Sequence, residues 1–200
     1  MKSIETLIKE TGLQPMRFKS LYFTEKKGVS YSYSSTQVDL PKDIADEVIA
    51  FGKELSDDDV YTNPNDASYG REDNIHATVL YGIHTCNVKA VERLVKDVKP
   101  FTIKLDDISF FDSEDYKVMK IDVKSKELHD LNAELRDNLK YTSNYPDYHP
   151  HVTIAYMCKD YDDSGLDVGM FKGREVEIDS IVFSPNDGER TTISLRGSNE

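Results

Sequence analysis

His76-Ala77-Thr78-Val79-Leu80-Tyr81 is answered later in the chain by His151-Val152-Thr153-Ile154-Ala155-Tyr156. Each copy reads His, apolar, Thr, apolar, apolar, Tyr, and each sits in a β-rich run. In an extended strand, residues i and i+2 project from one face. Each His is therefore expected to point with its Thr, while Ala77, Val79, Val152 and Ile154 face the other way. The same alternation turns Tyr81 and Tyr156, an odd number of positions after their His, away from that face. Two such strands side by side would line one cleft with two imidazoles and two hydroxyls. A single His-x-Thr-apolar tetrapeptide arises by accident in roughly one chain in four of this length. Two copies matching through to the Tyr are harder to read as ordinary buried strands with satisfied histidines.

The 200 residues are enough for one good core or two small lobes sharing one, and 38% hydrophobic with 31% charged residues fits a globular protein. No apolar run approaches the length of a membrane span, and Met1-Lys2-Ser3-Ile4-Glu5 lacks the apolar region of a signal peptide, so the expected location is cytoplasmic. Cys86 and Cys158 lie far apart without metal-ligand spacing, which favours reduced thiols. With 37 acidic against 25 basic residues, a net charge of −12 and no Lys/Arg-rich run, a small ligand is easier to accommodate than a long polyanion.

Working outward from the two motifs, the chain alternates strands and helices. Val29 to Leu40 is β-rich, and Pro41 opens a helix through Ile44, Val48, Ile49 and Leu55. Ser56 to Asp73 carries the Asp, Asn, Pro and Gly of a long loop that ends at the first motif. Val88 to Val98 has helical spacing and is stopped by Pro100. Phe101 to Phe110 and Tyr116 to Val123 read as strands, and Lys126 to Leu139 as an amphipathic helix. The loop Thr142 to Pro150 delivers the second motif. Val176 to Phe183 and Arg190 to Leu195 form a last strand pair around Asn186-Asp187-Gly188. Both halves run strand, helix, loop, His strand. The expected fold is α+β, with two pseudo-symmetric strand-helix-strand lobes whose antiparallel sheets face each other across a central cleft. Residues 1–30 stand outside this plan as an N-terminal extension to a domain over 31–200.

Paired His-x-Thr-apolar motifs on the inner strands of two pseudo-symmetric lobes resemble the two-histidine (2H) phosphoesterase superfamily, which includes LigT-type RNA cyclic phosphodiesterases and 2′,5′-oligoadenylate phosphodiesterases. The resemblance covers roughly Tyr31 to Leu195. Three longer strings, Tyr33 to Pro41 (YSSTQVDLP), Gly70 to Gly82 (GREDNIHATVLYG) and Asp179 to Ser184 (DSIVFS), are similar to the phage anti-CBASS phosphodiesterases, which degrade cyclic oligonucleotide signals of bacterial immunity. The resemblance implies an enzyme cleaving small cyclic oligonucleotides in the host cytoplasm as a viral antagonist of that defence. The alternatives are an RNA-end 2′,3′-cyclic phosphate or 2′,5′-oligoadenylate phosphodiesterase, or a nucleotide sponge that binds without turnover. Two departures bear on substrate access: the acidic loop Ser56 to Asp66 and the N-terminal extension. Ala77, following the first His, is smaller than the residue many relatives place there.

The residues point to the same chemistry by themselves. Cleaving a phosphodiester requires a proton to leave the attacking hydroxyl and another to reach a poor leaving alkoxide. One neutral imidazole and one imidazolium, His76 and His151, can do both. Thr78 and Thr153 can hold the non-bridging oxygens as charge builds. No metal and no cofactor is required. His149 beside His151 reads as an exposed loop residue rather than a metal ligand, and His84 and His129 as surface or boundary residues. Bases stack on aromatic faces, and Tyr33, Tyr145 and Tyr148 are the candidates for that contact.

Overall fold

A computed structural model describes residues 33–143, 145, 147–186 and 189–197. The expected extension 1–30 lies outside them, as do the first residues of the strand read from Val29 and the Asp187-Gly188 part of the last turn. The elements are β1 (Ser34–Asp39), α1 (Lys42–Glu54), β2 (His76–Ile83), α2 (Val88–Val95), β3 (Phe101–Asp112), β4 (Tyr116–Lys124), α3 (Lys126–Asn138), β5 (His151–Cys158), β6 (Glu175–Ile178), β7 (Ser180–Ser184) and β8 (Thr191–Ser194). Helix starts follow the sequence. Asn87 and Ser125 cap α2 and α3 with side-chain oxygens that accept from Lys89 N and Leu128 N, and Pro41 precedes α1.

The strands form one antiparallel sheet in the order β6-β3-β4-β5-β2-β1-β7-β8. It divides at its middle into two four-stranded halves, because β2 and β5 pair only at Ala77 opposite Val152. β6 and β7 stand near opposite ends of that order yet are joined by Asp179 alone. A one-residue link brings the sheet's ends within a few ångströms, so the sheet must curl. The last strand pair is accordingly different from the one expected. Val176 to Ile178 pairs with β3 in one half, while Ser180 to Ser184 crosses into the other half to pair with β1 and β8. The alternating burial of Val176 and Ile178 reads the same on either sheet, so periodicity alone could not place the break.

Helices cover one face. Buried Asn132 of α3 donates Nδ2 to Val79 O at 2.7 Å, and Gly52 of α1 lies against Ile154. Ala77 and Val152 are fully buried on this side with Val38, Val48, Ile121, Leu128 and Leu135. The opposite face, inside the curl, carries the histidines.

Candidate active site

The junction of β2 and β5 builds the site. The register that sets Ala77 opposite Val152 also sets His76 across from Thr153 and Thr78 across from His151. All four side chains then lie on the face opposite Ala77 and Val152. The histidines are diagonal neighbours, whose Cβ atoms in such a ladder stand about 7–8 Å apart, room for one phosphate between the rings. His76 and Thr153 are 6% and 7% exposed, and Thr78 and His151 are partly exposed.

The symmetry extends into the flanking strands. Asp39 of β1 stands opposite His76 and Gln37 opposite Thr78, while Asp122 of β4 stands opposite His151 and Lys120 opposite Thr153. Two rows therefore cross the sheet: Lys120, Thr153, His76, Asp39 in one, and Gln37, Thr78, His151, Asp122 in the other. Within each flanking pair the aspartate is held alike. Gln37 Nε2 donates to Asp39 Oδ1 at 2.6 Å, and Lys120 Nζ is ion-paired with Asp122. Arg190 Nη2 reaches both Asp39 oxygens at 3.0 Å, and Ser109 Oγ donates to Asp122 Oδ2 at 2.8 Å. Motif reading alone missed these four residues. A signal was there: Tyr33 to Asp39 and Tyr116 to Asp122 share the pattern Tyr, four residues, apolar, Asp on the strands that precede α1 and α3.

Just past each Thr the ladder slips by one residue, leaving Val79 and Ile154 without a partner. Each slip is a β-bulge, and each puts two consecutive residues on the helix side: Val79 (0% exposed) with Leu80 (5%), and Ile154 (1%) with Ala155 (0%). The alternation resumes with opposite phase. Tyr81 and Tyr156 therefore return to the histidine face, opposite Ser35 and Val118, instead of turning away as strict alternation required.

The two arms of the cleft are finished differently. Along β5 the long acidic loop zips onto the strand edge: Glu72 N to Ile154 O, Tyr156 N to Gly70 O, Tyr61 N to Tyr156 O and Cys158 N to Asp59 O, all 2.7–2.9 Å. It brings Tyr61 and Tyr69 onto Tyr116 and Tyr156, ring centroids 5.1–5.5 Å apart, filling that arm with the chain's own rings. Along β2 the described backbone leading into and through the loop Tyr141 to Pro150 bonds to the far end of the strand, through Thr142 N to Gly82 O and His84 N to Lys140 O. Between them a cavity of about 100 Å³ opens beside Thr78 and His151, with Tyr81, Arg136, Tyr141 and Tyr145 in its wall.

The aromatic candidates separate accordingly. Tyr145 is 43% exposed at this cavity. Tyr148 also lines it, but its hydroxyl donates to Thr78 O at 2.9 Å and its ring meets His129 edge-on, so it anchors the loop. Tyr33 stacks on His84 at 5.0 Å at the far end of β2.

Both imidazoles are fixed through Nδ1, which donates to the carbonyl two residues earlier: His76 to Asn74 O and His151 to His149 O, 2.7 Å each. With Nδ1 engaged, Nε2 is the nitrogen of each ring that can exchange a proton with a ligand. The His151 pKa is pushed down to about 4, chiefly by burial, with the hydrogen bond to the His149 carbonyl opposing the shift, the nearby Lys120 and His76 charges adding to it and Asp122 opposing it. His149 is exposed, and among the described residues no group of three or more His, Cys, Asp or Glu could hold a metal ion.

The sequence matches the 2'-5' RNA ligase superfamily over residues 58–166, more than half of the chain and both motifs. No curated protein matches it. Among solved structures, the chain is similar to TT0787 of Thermus thermophilus (15% identity, TM-score 0.59, covering 84% of this chain and 100% of that one). It is also similar to E. coli LigT complexed with 3'-AMP (19% identity, TM-score 0.55, 82% and 95%) and to LigT complexed with phosphate (16%, 0.52, 84% and 96%). Among the described residues no helix is long and apolar enough to cross a membrane. With that match spanning both His-x-Thr strands, the chain belongs to the 2'-5' RNA ligase superfamily of two-histidine phosphoesterases, enzymes that act on phosphodiester bonds.

Proposed function

We propose that the protein is a metal-independent phosphodiesterase of small cyclic oligonucleotides, with His76 and His151 as the acid–base pair and Thr78 and Thr153 as the phosphate-holding groups. The observation that carries this reading is the register of the β2–β5 junction, which sets the four residues on one face, together with the backbone tether on Nδ1 of each imidazole, which leaves proton exchange with a ligand to Nε2. For a 3′,5′-linked substrate, one imidazole takes the proton of the ribose 2′-OH as it attacks phosphorus. The other protonates the departing 5′-oxygen, and the Thr hydroxyls donate to the non-bridging oxygens. Water then opens the resulting 2′,3′-cyclic phosphate with the roles of the two rings reversed.

Three features favour a small nucleotide. The cavity beside Thr78 and His151 is of the size of a single base, Tyr145 on its wall offers a stacking surface, and the net charge of −12 disfavours a long polyanion. The strings at 33–41, 70–82 and 179–184 favour cyclic signals of bacterial immunity as the substrate, and so a viral antagonist as the biological role. The test is incubation with cyclic dinucleotides, cyclic trinucleotides, 2′,5′-oligoadenylate and RNA ending in a 2′,3′-cyclic phosphate, with chromatography of the products. Cleavage of the cyclic compounds is expected. Turnover of only the RNA end or the 2′,5′ linkage replaces the substrate, and tight binding without products replaces the enzyme with a sponge.

A further inference from the structure

Within the two rows that carry the histidines and threonines, the halves agree except at one flanking pair: Lys120 opposite Thr153 answers Gln37 opposite Thr78. Lys120 is 4% exposed. Its Nζ leans along the strand toward Asp122, which stands opposite His151, and it also donates to Ser109 Oγ. It lies 4.1 Å from the centre of the Phe111 ring, whose own centre is 5.0 Å from the His151 ring in an edge-on contact. The charge is thus buried and fixed by three neighbours, two of which, Asp122 and Phe111, stand against the second histidine. In the other half, Arg190 is bound to Asp39 at a partly solvated position (37% side-chain exposure), where its field is screened.

We propose that Lys120 is the positioning residue that breaks the equivalence of the two histidines, holding His151 in its neutral form as the base for the 2′-OH and leaving the proton on His76 as the acid for the 5′-oxygen. This deepens the phosphodiesterase reading and rests on it. The charged and titratable groups around His151 are Lys120 and Asp122 on β4, His76 on β2, His149 before β5, and Arg136, Asp147 and the tyrosines across the cavity. The direction of the His151 shift accords with the geometry. The charged diester favours uptake of one proton by the pair, and Lys120 directs that proton to His76.

The step balances. The 2′-OH proton passes to His151 Nε2 as the 2′-oxygen bonds to phosphorus. The bond from phosphorus to the 5′-oxygen breaks with its electron pair on that oxygen, which takes the proton from His76 Nε2. The nucleoside that supplies the 2′-OH then lies on the side of the open cavity, beside His151 and Thr78, and the departing nucleoside lies beyond His76.

Two measurements on the full chain test this. In the first, the imidazole proton signals of His151 are titrated by NMR in the wild type, in Lys120→Gln, which copies the opposite half, and in Lys120→Arg, which keeps the charge. His151 is expected to titrate at higher pH in Lys120→Gln and near its wild-type position in Lys120→Arg. The same spectra report folding. If Lys120→Gln fails to fold, the double variant Lys120→Gln/Asp122→Asn, which removes both charges of the pair, is titrated instead.

In the second, turnover of a 3′,5′-linked substrate is compared with that of a nucleoside 3′-(p-nitrophenyl phosphate), whose leaving group needs no acid. His76→Ala is expected to lose about 10²–10⁴-fold on the first and to recover most of it on the second, whereas His151→Ala loses on both. An unmoved His151 titration, or recovery by His151→Ala in place of His76→Ala, overturns the assignment while leaving the phosphodiesterase reading intact. No loss from either histidine substitution overturns both.

Discussion

His76 and His151 are tethered by the same hydrogen bond, Nδ1 to the carbonyl of the residue two before, at 2.7 Å in each half. A backbone carbonyl accepts only from a protonated nitrogen, so the bond fixes one tautomer and one ring orientation in both strands. The rings are therefore matched in what they can offer, and any division of labour must come from their surroundings. Those surroundings differ in charge beside the threonines and in what fills the two arms of the cleft.

Removing either imidazole is expected to lower kcat by about 10²–10⁴-fold with little change in nucleotide affinity, because proton transfer is lost and the hydroxyl contacts remain. His76→Ala and His151→Ala together should cost far less than the product of the single losses, as residues acting in one step do not add. Thr78→Ala and Thr153→Ala should each cost less than a histidine. Steady-state kinetics with an independent binding measurement decides it, and full activity in the double histidine variant ends the catalytic reading.

The depressed pKa of His151 has consequences for both stability and rate. Between the ordinary imidazole value and about 4, the unfolded chain binds a proton at this residue and the folded chain does not. Its contribution to stability is thus fully present above pH 6.5 and falls on acidification through that window, by at most about 1.4 kcal/mol per pH unit. Urea unfolding of wild type and His151→Gln from pH 7 to 4 should diverge in slope there; parallel curves would deny the shift. If His151 is the base, the acid limb of kcat/KM lies well below the ordinary imidazole range, and the alkaline limb reports loss of the proton from the acid partner.

Much of this site was legible from period-two patterning, and the rest was not, for identifiable reasons. The shared face of His76 with Thr78 and of His151 with Thr153 follows from alternation over two residues. The orientation of Tyr81 and Tyr156 does not, because a bulge at Val79 or Ile154 inserts one residue and inverts everything beyond it. Neither bulge is marked by a Gly or a polar residue; both fall in unbroken apolar runs. The lobe switch at Asp179 escaped for another reason: Val176 to Phe183 reads as one β-rich stretch, and only the pairing partners change at Asp179. Composition marked Ser56 to Asp73 as a loop but could not say that it covers the edge of β5, since that pairing runs through backbone groups that every residue carries.

The two loop tyrosines should part company under substitution. Tyr148→Phe loses the hydrogen bond to Thr78 O and is expected to lower stability by about 0.5–1.5 kcal/mol. If the ring served only for stacking, Phe would keep both stability and affinity. Tyr145→Ala, by contrast, should leave the unfolding midpoint in place and weaken nucleotide binding by about 1–3 kcal/mol, the usual worth of one base stack. Calorimetric titration with a non-hydrolysable analogue, beside urea melts, separates the two roles.

Because imidazoles carry the protons and hydroxyls hold the phosphate in the proposed scheme, exhaustive chelation is expected to leave turnover unchanged. Activity lost on EDTA treatment and restored by a divalent ion would put a metal in the mechanism and send the search back to His149 and its neighbours.

Gly82 determines whether the open arm keeps its shape. It stands near the end of β2 with φ +87°, and a Cβ there would lie 1.9 Å from Thr142 O, the start of the loop that carries Tyr145 and Tyr148. Alanine meets both a disfavoured backbone conformation and a backbone atom that cannot move without releasing the Thr142 N to Gly82 O bond. Gly82→Ala is therefore expected to destabilise by at least about 1–3 kcal/mol and to weaken nucleotide binding by displacing the cavity wall. Gly165→Ala is the control: nothing lies within 4 Å of its Cβ position and its φ is not positive, so it should be neutral or gain up to about 1 kcal/mol. Equal unfolding midpoints for the two variants would show that the loop yields freely and that the cavity does not depend on this contact.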